Sequence, residues 1–233
     1  MLYIIGLGLN IDGISKYGLE IVKRCKRVYL ENYTVDFPYT EGELAALLEK
    51  KIIPADREKV ESLEIIDEAK KLDVALLVYG SPLTATTHIT LLQEAKASEV
   101  RYKVIYNASI LDAVAETGLQ SYKFGKISSI PNFEADSYME IVKENQSIKA
   151  HSLILVDIGL EFPEALRALE AAAEKHTVKL KKFVVCQALG TKHKKILYKD
   201  LKELETFTGV KKPYCIIIPG KLHFVEKEVL GGI

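Results

Sequence analysis

The sequence predicts an α/β protein made of two successive α/β halves. Three observations carry that expectation. Apolar, largely β-branched runs of strand length recur along the chain, among them residues 2–6, 74–78, 152–156 and 214–218. Most run into a loop of glycine or small polar residues and then into a helical pattern, the repeating unit of a parallel sheet with helices packed on it. Hydrophobic residues make up 48% of the 233 positions, ample for a packed core.

In order, residues 2–6 read as a buried strand. Gly6 and Gly8 open a glycine loop toward a helix near 18–26. Val28, Tyr29 and Leu30 form a second strand pattern closed by Glu31, whose bland reading is a solvated carboxylate. Residues 32–40 carry Tyr33, Phe37, Pro38 and Tyr39, enough aromatic surface to fold over a cleft or to pack on the core. A helix is expected over 41–50, with Leu44, Leu47 and Leu48 on one face. Pro54 ends a short apolar piece, and a helix over 62–72 buries Ile65, Ile66, Ala69 and Leu72.

The run 74–78 leads into Gly80, Ser81, Pro82, Leu83, Thr84, Ala85, Thr86, Thr87 and His88. Gly80 allows the dihedral that a sharp strand exit needs, and Pro82 fixes the next step. Thr84, Thr86 and Thr87 precede a helix over 87–98 and could cap its orphan amides, which makes the turn a candidate anion or cofactor loop. An ordinary strand-to-helix turn explains the same residues. A strand at 103–106 then ends in Asn107, Ala108, Ser109 and Ile110 before a helix at 111–117.

The character changes between Glu116 and Tyr122, so the halves are expected at 1–118 and 119–233. The second half reads as an alternating stretch over 122–130, a helix over 137–145 and a strand at 152–158 with Gly159 and Leu160 at its mouth. A proline-opened helix follows over 163–176. A strand at 182–186, a basic turn at 191–195, a helix over 199–205 and a strand at 214–218 come next. The last loop is Pro219, Gly220, Lys221, Leu222 and His223.

Composition excludes several functions. The 32 basic and 32 acidic residues balance, leaving no electrostatic footprint for nucleic acid or an anionic membrane. The longest apolar runs are too short to span a bilayer, and Met1, Leu2 and Tyr3 lead straight into a strand pattern without a secretory leader. Cys25, Cys186 and Cys215 fit neither a disulfide framework nor a metal knuckle, which places the chain in a reducing cytoplasm. No phosphate-cradling lysine loop, serine nucleophile elbow or helical zinc motif is present. Gly6, Gly8 and Glu31 suggest a dinucleotide unit, but the third glycine is absent because position 11 is Ile.

The loop at 80–88 resembles the Gly-Asp-Pro-x-x-Ala-Thr-Thr-His loop of the diphthine synthases, members of the tetrapyrrole-methylase-like S-adenosylmethionine-dependent methyltransferases. Only its second specified position differs, being Ser81. The resemblance extends over the whole chain, through the opening glycine loop, the Asn107–Ile110 segment and the closing Pro219–His223 motif. It implies two α/β domains with the cofactor in the cleft between them, and a homodimer. Carried over residue by residue, it implies cofactor contacts at Leu9, Ser81, Thr84, Ser109, Ile110, Leu160 and His223, with no metal. It implies a protein substrate, translation elongation factor 2, whose modified histidine is methylated on its amino group, leaving S-adenosylhomocysteine. The residues themselves name no catalytic base. They leave open a tetrapyrrole-precursor methyltransferase of the same fold, a non-catalytic binding protein and a nicotinamide enzyme. Core packing is the plain alternative for Leu9, Ile110 and Leu160, and a backbone-satisfied, partly buried histidine for His223.

Overall fold

Helices cover both faces of the first sheet, which is why its central strands are uninterrupted apolar runs. The computed structural model describes residues 1–233, and their packing divides them into two units, Met1–Ile110 and Leu111–Ile233. The first unit runs β1 (Leu2–Gly6), α1 (Lys16–Arg24), β2 (Arg27–Glu31), α2 (Glu41–Leu48) and β3 (Ile53–Ala55). It continues with α3 (Arg57–Glu61), α4 (Glu64–Lys71), β4 (Val74–Val78), α5 (Ile89–Ala97) and β5 (Tyr102–Ile105). The strand order is β3-β2-β4-β1-β5, and every neighbouring pair is parallel.

Alternate residues of β1 and β4 serve opposite layers. Leu2, Ile4, Val74, Leu76 and Val78 pack with Ile65, Ile66 and Ala69 of α4 and with Leu91 and Ala95 of α5. Ile5, Ala75 and Leu77 pack with Ile21 and Val22 of α1 and with Leu44 and Leu48 of α2. Each buried aliphatic side chain of this kind contributes roughly 1.5–3 kcal/mol. Pro54 lies within β3 rather than ending an apolar piece. That strand is at the sheet edge, paired only with β2, where a missing N–H costs no ladder bond. The helix expected over 62–72 is preceded by a second, α3, whose cap Asp56 accepts from the Lys59 amide at 2.8 Å.

Entered through α6 (Ile110–Ala113), the second unit runs β6 (Ser128–Ile130), α7 (Ser137–Ser147), β7 (Ser152–Val156), α8 (Phe162–His176) and β8 (Lys182–Gln187). It ends with β9 (Lys195–Asp200), α9 (Leu201–Thr206), β10 (Tyr214–Ile218) and α10 (Phe224–Gly231). The order is β6-β7-β10-β8-β9, and only β6 and β7 run parallel. The parallel pattern read from the strand–loop–helix repeat therefore holds in the first unit and fails here. The turn between β8 and β9 is too short for a crossover, so the two pair as a hairpin.

The sequence reading lacks β9 and starts a helix inside it, at 199. The reason is physical: β9 is a half-exposed edge strand whose apolar residues are flanked by lysines. The helix begins at Leu201, where Asp200 caps it by accepting from the Glu203 amide at 3.0 Å. Only Ser128–Ile130 of the alternating stretch forms a strand. Residues 111–118 pack with the second unit, and a Cβ on Gly118 would lie 2.4 Å from Val229 Cγ1. Helices α7, α8 and α9 bring Met139, Val142, Leu166, Leu169 and Leu204 onto Phe183, Val185 and Ile216. No helix is long and apolar enough to cross a membrane.

Phe183 is the largest side chain sealed in this core. Phe183→Ala is expected to cost about 3–5 kcal/mol, seen as a lower urea midpoint in equilibrium denaturation.

Candidate functional site

In a parallel sheet all loops that leave strand carboxyl ends gather on one edge. In the first unit these are the loops after β1, β4 and β5, together with the aromatic loop after β2. The first two are joined as if by an extra rung: the Gly8 amide donates to the Gly80 carbonyl at 3.2 Å and the Gly80 amide to the Gly8 carbonyl at 2.9 Å. Both glycines hold positive φ, 72° and 70°. Gly6 is glycine for a different reason, since a Cβ there would lie 2.6 Å from the Gly80 oxygen and 2.9 Å from Asn107 Cβ.

Asn107, on the loop after β5, ties this edge together. Its Nδ2 donates to the carbonyls of Gly6 at 3.0 Å and Gly13 at 2.9 Å, while its Oδ1 accepts from the Ala108 amide at 2.8 Å. Sequence reasoning placed Asn107 among small polar residues before a helix and missed its role as a latch. Only its position in a strand-exit loop could have signalled it. Leu9 is 8% exposed, and its carbonyl accepts from the Tyr79 hydroxyl at 3.0 Å.

The threonine loop folds largely on itself. The Thr84 amide donates to the Ser81 carbonyl at 3.1 Å, and Ala85 takes φ 54°. Thr86 Oγ1 donates to the Pro82 carbonyl at 3.2 Å. The N-cap of α5 is His88, which makes no side-chain capping bond. The amides of Thr90 and Leu91 bond to the carbonyls of Thr87 and His88 at 3.0 and 3.1 Å. The capping expected of the threonines is met only in part: Thr86 Oγ1 accepts from the His88 amide at 3.4 Å, and local 3₁₀-like turns serve the amides of Thr90 and Leu91.

His88 is 1% exposed and its Nδ1 lies 2.9 Å from the Pro82 carbonyl. A carbonyl only accepts, so Nδ1 carries a proton, and Nε2 has no partner.

The aromatic loop packs onto this edge. Glu31 is 1% exposed rather than solvated, and its carboxylate accepts from the Tyr33 amide at 2.8 Å, the Thr34 amide at 2.9 Å and the Thr34 hydroxyl at 2.7 Å. That carboxylate shapes the loop and is buried there rather than presented to solvent at the strand end. Phe37 meets the rings of Tyr39 and Tyr79 edge-on at 5.4 and 5.3 Å. Burial drives the Tyr39 and Tyr79 phenols far above their ordinary range. Burial, with Glu31 nearby, pushes Tyr33 up to about 12. All three stay protonated at neutral pH.

Of the seven residues singled out from the sequence, Leu9, Ser81, Thr84, Ser109 and Ile110 stand on this one edge. Ser109 is buried, whereas Ser81, Thr84 and Ile110 are half-buried. Leu160 and His223 stand in the second unit, where the antiparallel register separates their loops. Ile216 pairs with Ile154 and Ile218 with Ser152, so the loop after β7 and the loop after β10 leave opposite ends of that strand pair. Leu160 packs on the core, and its carbonyl accepts from the Tyr214 hydroxyl at 3.1 Å. His223 is exposed and stacks on Phe224, with ring centroids 4.2 Å apart.

The buried histidine of this unit is His151, which the sequence reading noted only as preceding a strand. Its Nδ1 accepts from the Gly220 amide at 2.9 Å, so the proton sits on Nε2, 3.1 Å from Glu226 Oε1. Glu226 is fully buried and also accepts from the amides of Gln120 at 3.0 Å and His223 at 2.6 Å and from the Lys123 ammonium. Lys123 donates in turn to the Lys221 carbonyl at 2.8 Å. The loop 219–223 is therefore pinned at Gly220, Lys221 and His223 by a fully connected buried network. Burial alone would raise the Glu226 carboxyl, but Lys123, the two amides and His151 outweigh it and hold its pKa at about 2, below the ordinary 4.5. Burial lowers His151 from 6.5, with Glu226 opposing.

Comparison with known proteins identifies the family. Residues 1–205 match the family model of the Tetrapyrrole (Corrin/Porphyrin) Methylases. A probable diphthine methyl ester synthase of Arabidopsis thaliana is 36% identical over 99% of this chain and 97% of its own length. The chain belongs to the diphthine synthases. A diphthine synthase of Methanocaldococcus jannaschii is 35% identical over 99% of this chain and 97% of its own length. The crystal structure of a diphthine synthase superposes with a TM-score of 0.92 at 31% identity, covering 99% of this chain and 94% of that one. Diphthine synthases are methyltransferases, and this fold is theirs.

The network gives this family member an acid sensitivity of known sign. A carboxyl depressed in the folded state stabilises it fully above its unfolded value of 4.5 and less as pH falls toward about 2. His151, neutral when folded and free to protonate when unfolded, adds a loss in the same direction below 6.5. Acid denaturation should show wild type losing up to roughly 3 kcal/mol through Glu226. Glu226→Gln should be less stable at neutral pH and show a flatter profile between 4.5 and about 2.

Proposed function

We propose that this chain is an S-adenosylmethionine-dependent methyltransferase acting on the amino group of the modified histidine of translation elongation factor 2 in diphthamide biosynthesis. The match to diphthine synthases along nearly their whole length carries the reading. We further propose a cytoplasmic homodimer, with Leu9, Ser81, Thr84, Ser109, Ile110, Leu160 and His223 as cofactor contacts.

The residues of the first unit suit such a cofactor. The edge is built of glycine backbone, hydroxyls and apolar side chains, and none of Leu9, Ser81, Thr84, Ser109 or Ile110 is ionisable. A Cβ on Gly80 would meet nothing closer than 3.7 Å, so the backbone there stays open to a close-lying ligand. When bound, the cofactor supplies a methyl group already activated by a sulfonium leaving group. The chain then has to hold acceptor and donor in line and keep water out. The Asn107 latch and the Gly8–Gly80 rung fix the loops that do the holding, and the Phe37, Tyr39 and Tyr79 cluster supplies an apolar wall. The protonated tyrosines are poor bases, so the acceptor amine arrives unprotonated or loses its proton to water.

A second acceptor is favoured by one observation. The Arabidopsis relative is named for a methyl ester and the Methanocaldococcus relative is not, yet their identities to this chain are 36% and 35%. A carboxylate oxygen of the same substrate is therefore the alternative methyl acceptor.

Calorimetry should show S-adenosylmethionine and S-adenosylhomocysteine binding, and failure of both would remove the methyltransferase reading. Elongation factor bearing the histidine precursor should gain methyl masses on incubation with enzyme and cofactor. Masses that survive mild alkali lie on nitrogen, and masses lost to alkali lie on an ester. Ser81→Asp should change cofactor affinity by less than about tenfold, or 1.4 kcal/mol, because loop shape and backbone groups are retained. A larger gain would mark Ser81 as an impairment.

A further inference from the structure

The loop 219–223 borders a cavity of about 510 Å³ in the second unit, lined by Lys149, Lys221, His223, Tyr122, Phe124 and Ile148 among others. No carboxylate lines it. Lys123 also reaches it, but its charge is matched by the buried Glu226. Lys149 and Lys221 have no such partner, so the cavity holds two uncompensated ammonium groups beside an exposed histidine. Their backbones are joined: the Lys221 amide donates to the Lys149 carbonyl at 3.1 Å. A Cβ on Gly220 would lie 2.4 Å from that same carbonyl, so the two chains approach as closely as glycine allows. Lys149 also holds φ 63° in the turn after α7, where glycine or asparagine is the comfortable residue. A strained position that keeps a lysine beside a second unpaired lysine costs stability with no compensating contact in the fold.

We propose that this cavity docks an acidic segment of the protein substrate, carboxylate side chains meeting Lys149 and Lys221 and neighbouring apolar residues meeting Tyr122, Phe124 and Ile148. The proposal rests on the reading that the substrate is a protein. Tyr122 and Ile148 are 79% and 71% exposed, an apolar rim that a polypeptide can cover. Positive charge in the cavity favours carboxylates. Phosphate recognition tends to recruit arginine forks along an extended basic track, and this cavity has lysines only in a chain of zero net charge.

The test uses the full chain and a double variant, Lys149→Asn with Lys221→Gln; asparagine suits the backbone at 149, so folding is preserved. Fluorescein-labelled hexaglutamate should bind wild type at low salt, and the double variant should bind it at least about tenfold more weakly with a flattened salt dependence. The KM for the elongation factor precursor should rise by a similar factor, about tenfold, while calorimetric affinity for S-adenosylhomocysteine stays within about twofold. Absent hexaglutamate binding, tighter binding of labelled hexauridylate, or an equal loss of cofactor affinity in the variant would each overturn the proposal. Lysine-dependent hexaglutamate binding by an enzyme that leaves the elongation factor unmethylated would support the pocket and refute the substrate assignment.

Discussion

The reciprocal amide bonds between Gly8 and Gly80, locked by Asn107, are the constraint on which the first unit's functional edge depends. They form beyond the last paired residues of β1 and β4, where a parallel sheet would otherwise let its loops diverge. Three loops from distant parts of the sequence then behave as one rigid surface. The glycines are required on steric grounds, Gly8 and Gly80 by positive φ and Gly6 by the 2.6 Å approach to the Gly80 oxygen. A rigid edge of this kind suits methyl transfer, in which placement is most of the catalysis.

The second unit solves a related problem by other means. Its mixed sheet sends the loops after β6, β7 and β8 to one edge and the loop that carries His223, after β10, to the other, where that loop is held from below. Glu226 gathers four donors, and His151 turns its second nitrogen to the Gly220 amide. Removing one member would leave the others buried without partners, which is why such networks fail together. The rigidity that fixes His223 also fixes Lys221 against Lys149, so one network shapes both the proposed cofactor contact and the cationic cavity beside it.

Much of the fold was legible in the residues, and the limits are instructive. Strands 74–78 and 214–218 were found because full burial writes a continuous apolar run. Strand β9 was missed because half-exposure at a sheet edge admits lysine and breaks the pattern. The threonine loop was recognised by its residues, yet of the three only Thr86 meets the helix start, and its hydroxyl also folds the loop onto Pro82, a choice that depends on which carbonyl lies nearest. Glu31 looked solvated because a strand-end carboxylate usually is. Its burial follows from three donors supplied by the turn just after it.

The sequence by itself determined the α/β class, most helix and strand positions and, through motif resemblance spread along the chain, the family. Those properties depend on local periodicity and on residue types that few backbone geometries tolerate, and both are written along the chain. Tertiary structure alone decided that the second sheet is largely antiparallel and that the exits after β7 and β10 leave opposite ends of the pair. It alone placed Asn107, His151, Lys123 and Glu226 in their roles. Those depend on contacts between residues as far apart as Gly6 and Asn107 or His151 and Glu226. Hydrogen bonds across such separations leave no periodic trace, because either partner alone looks like any other polar residue.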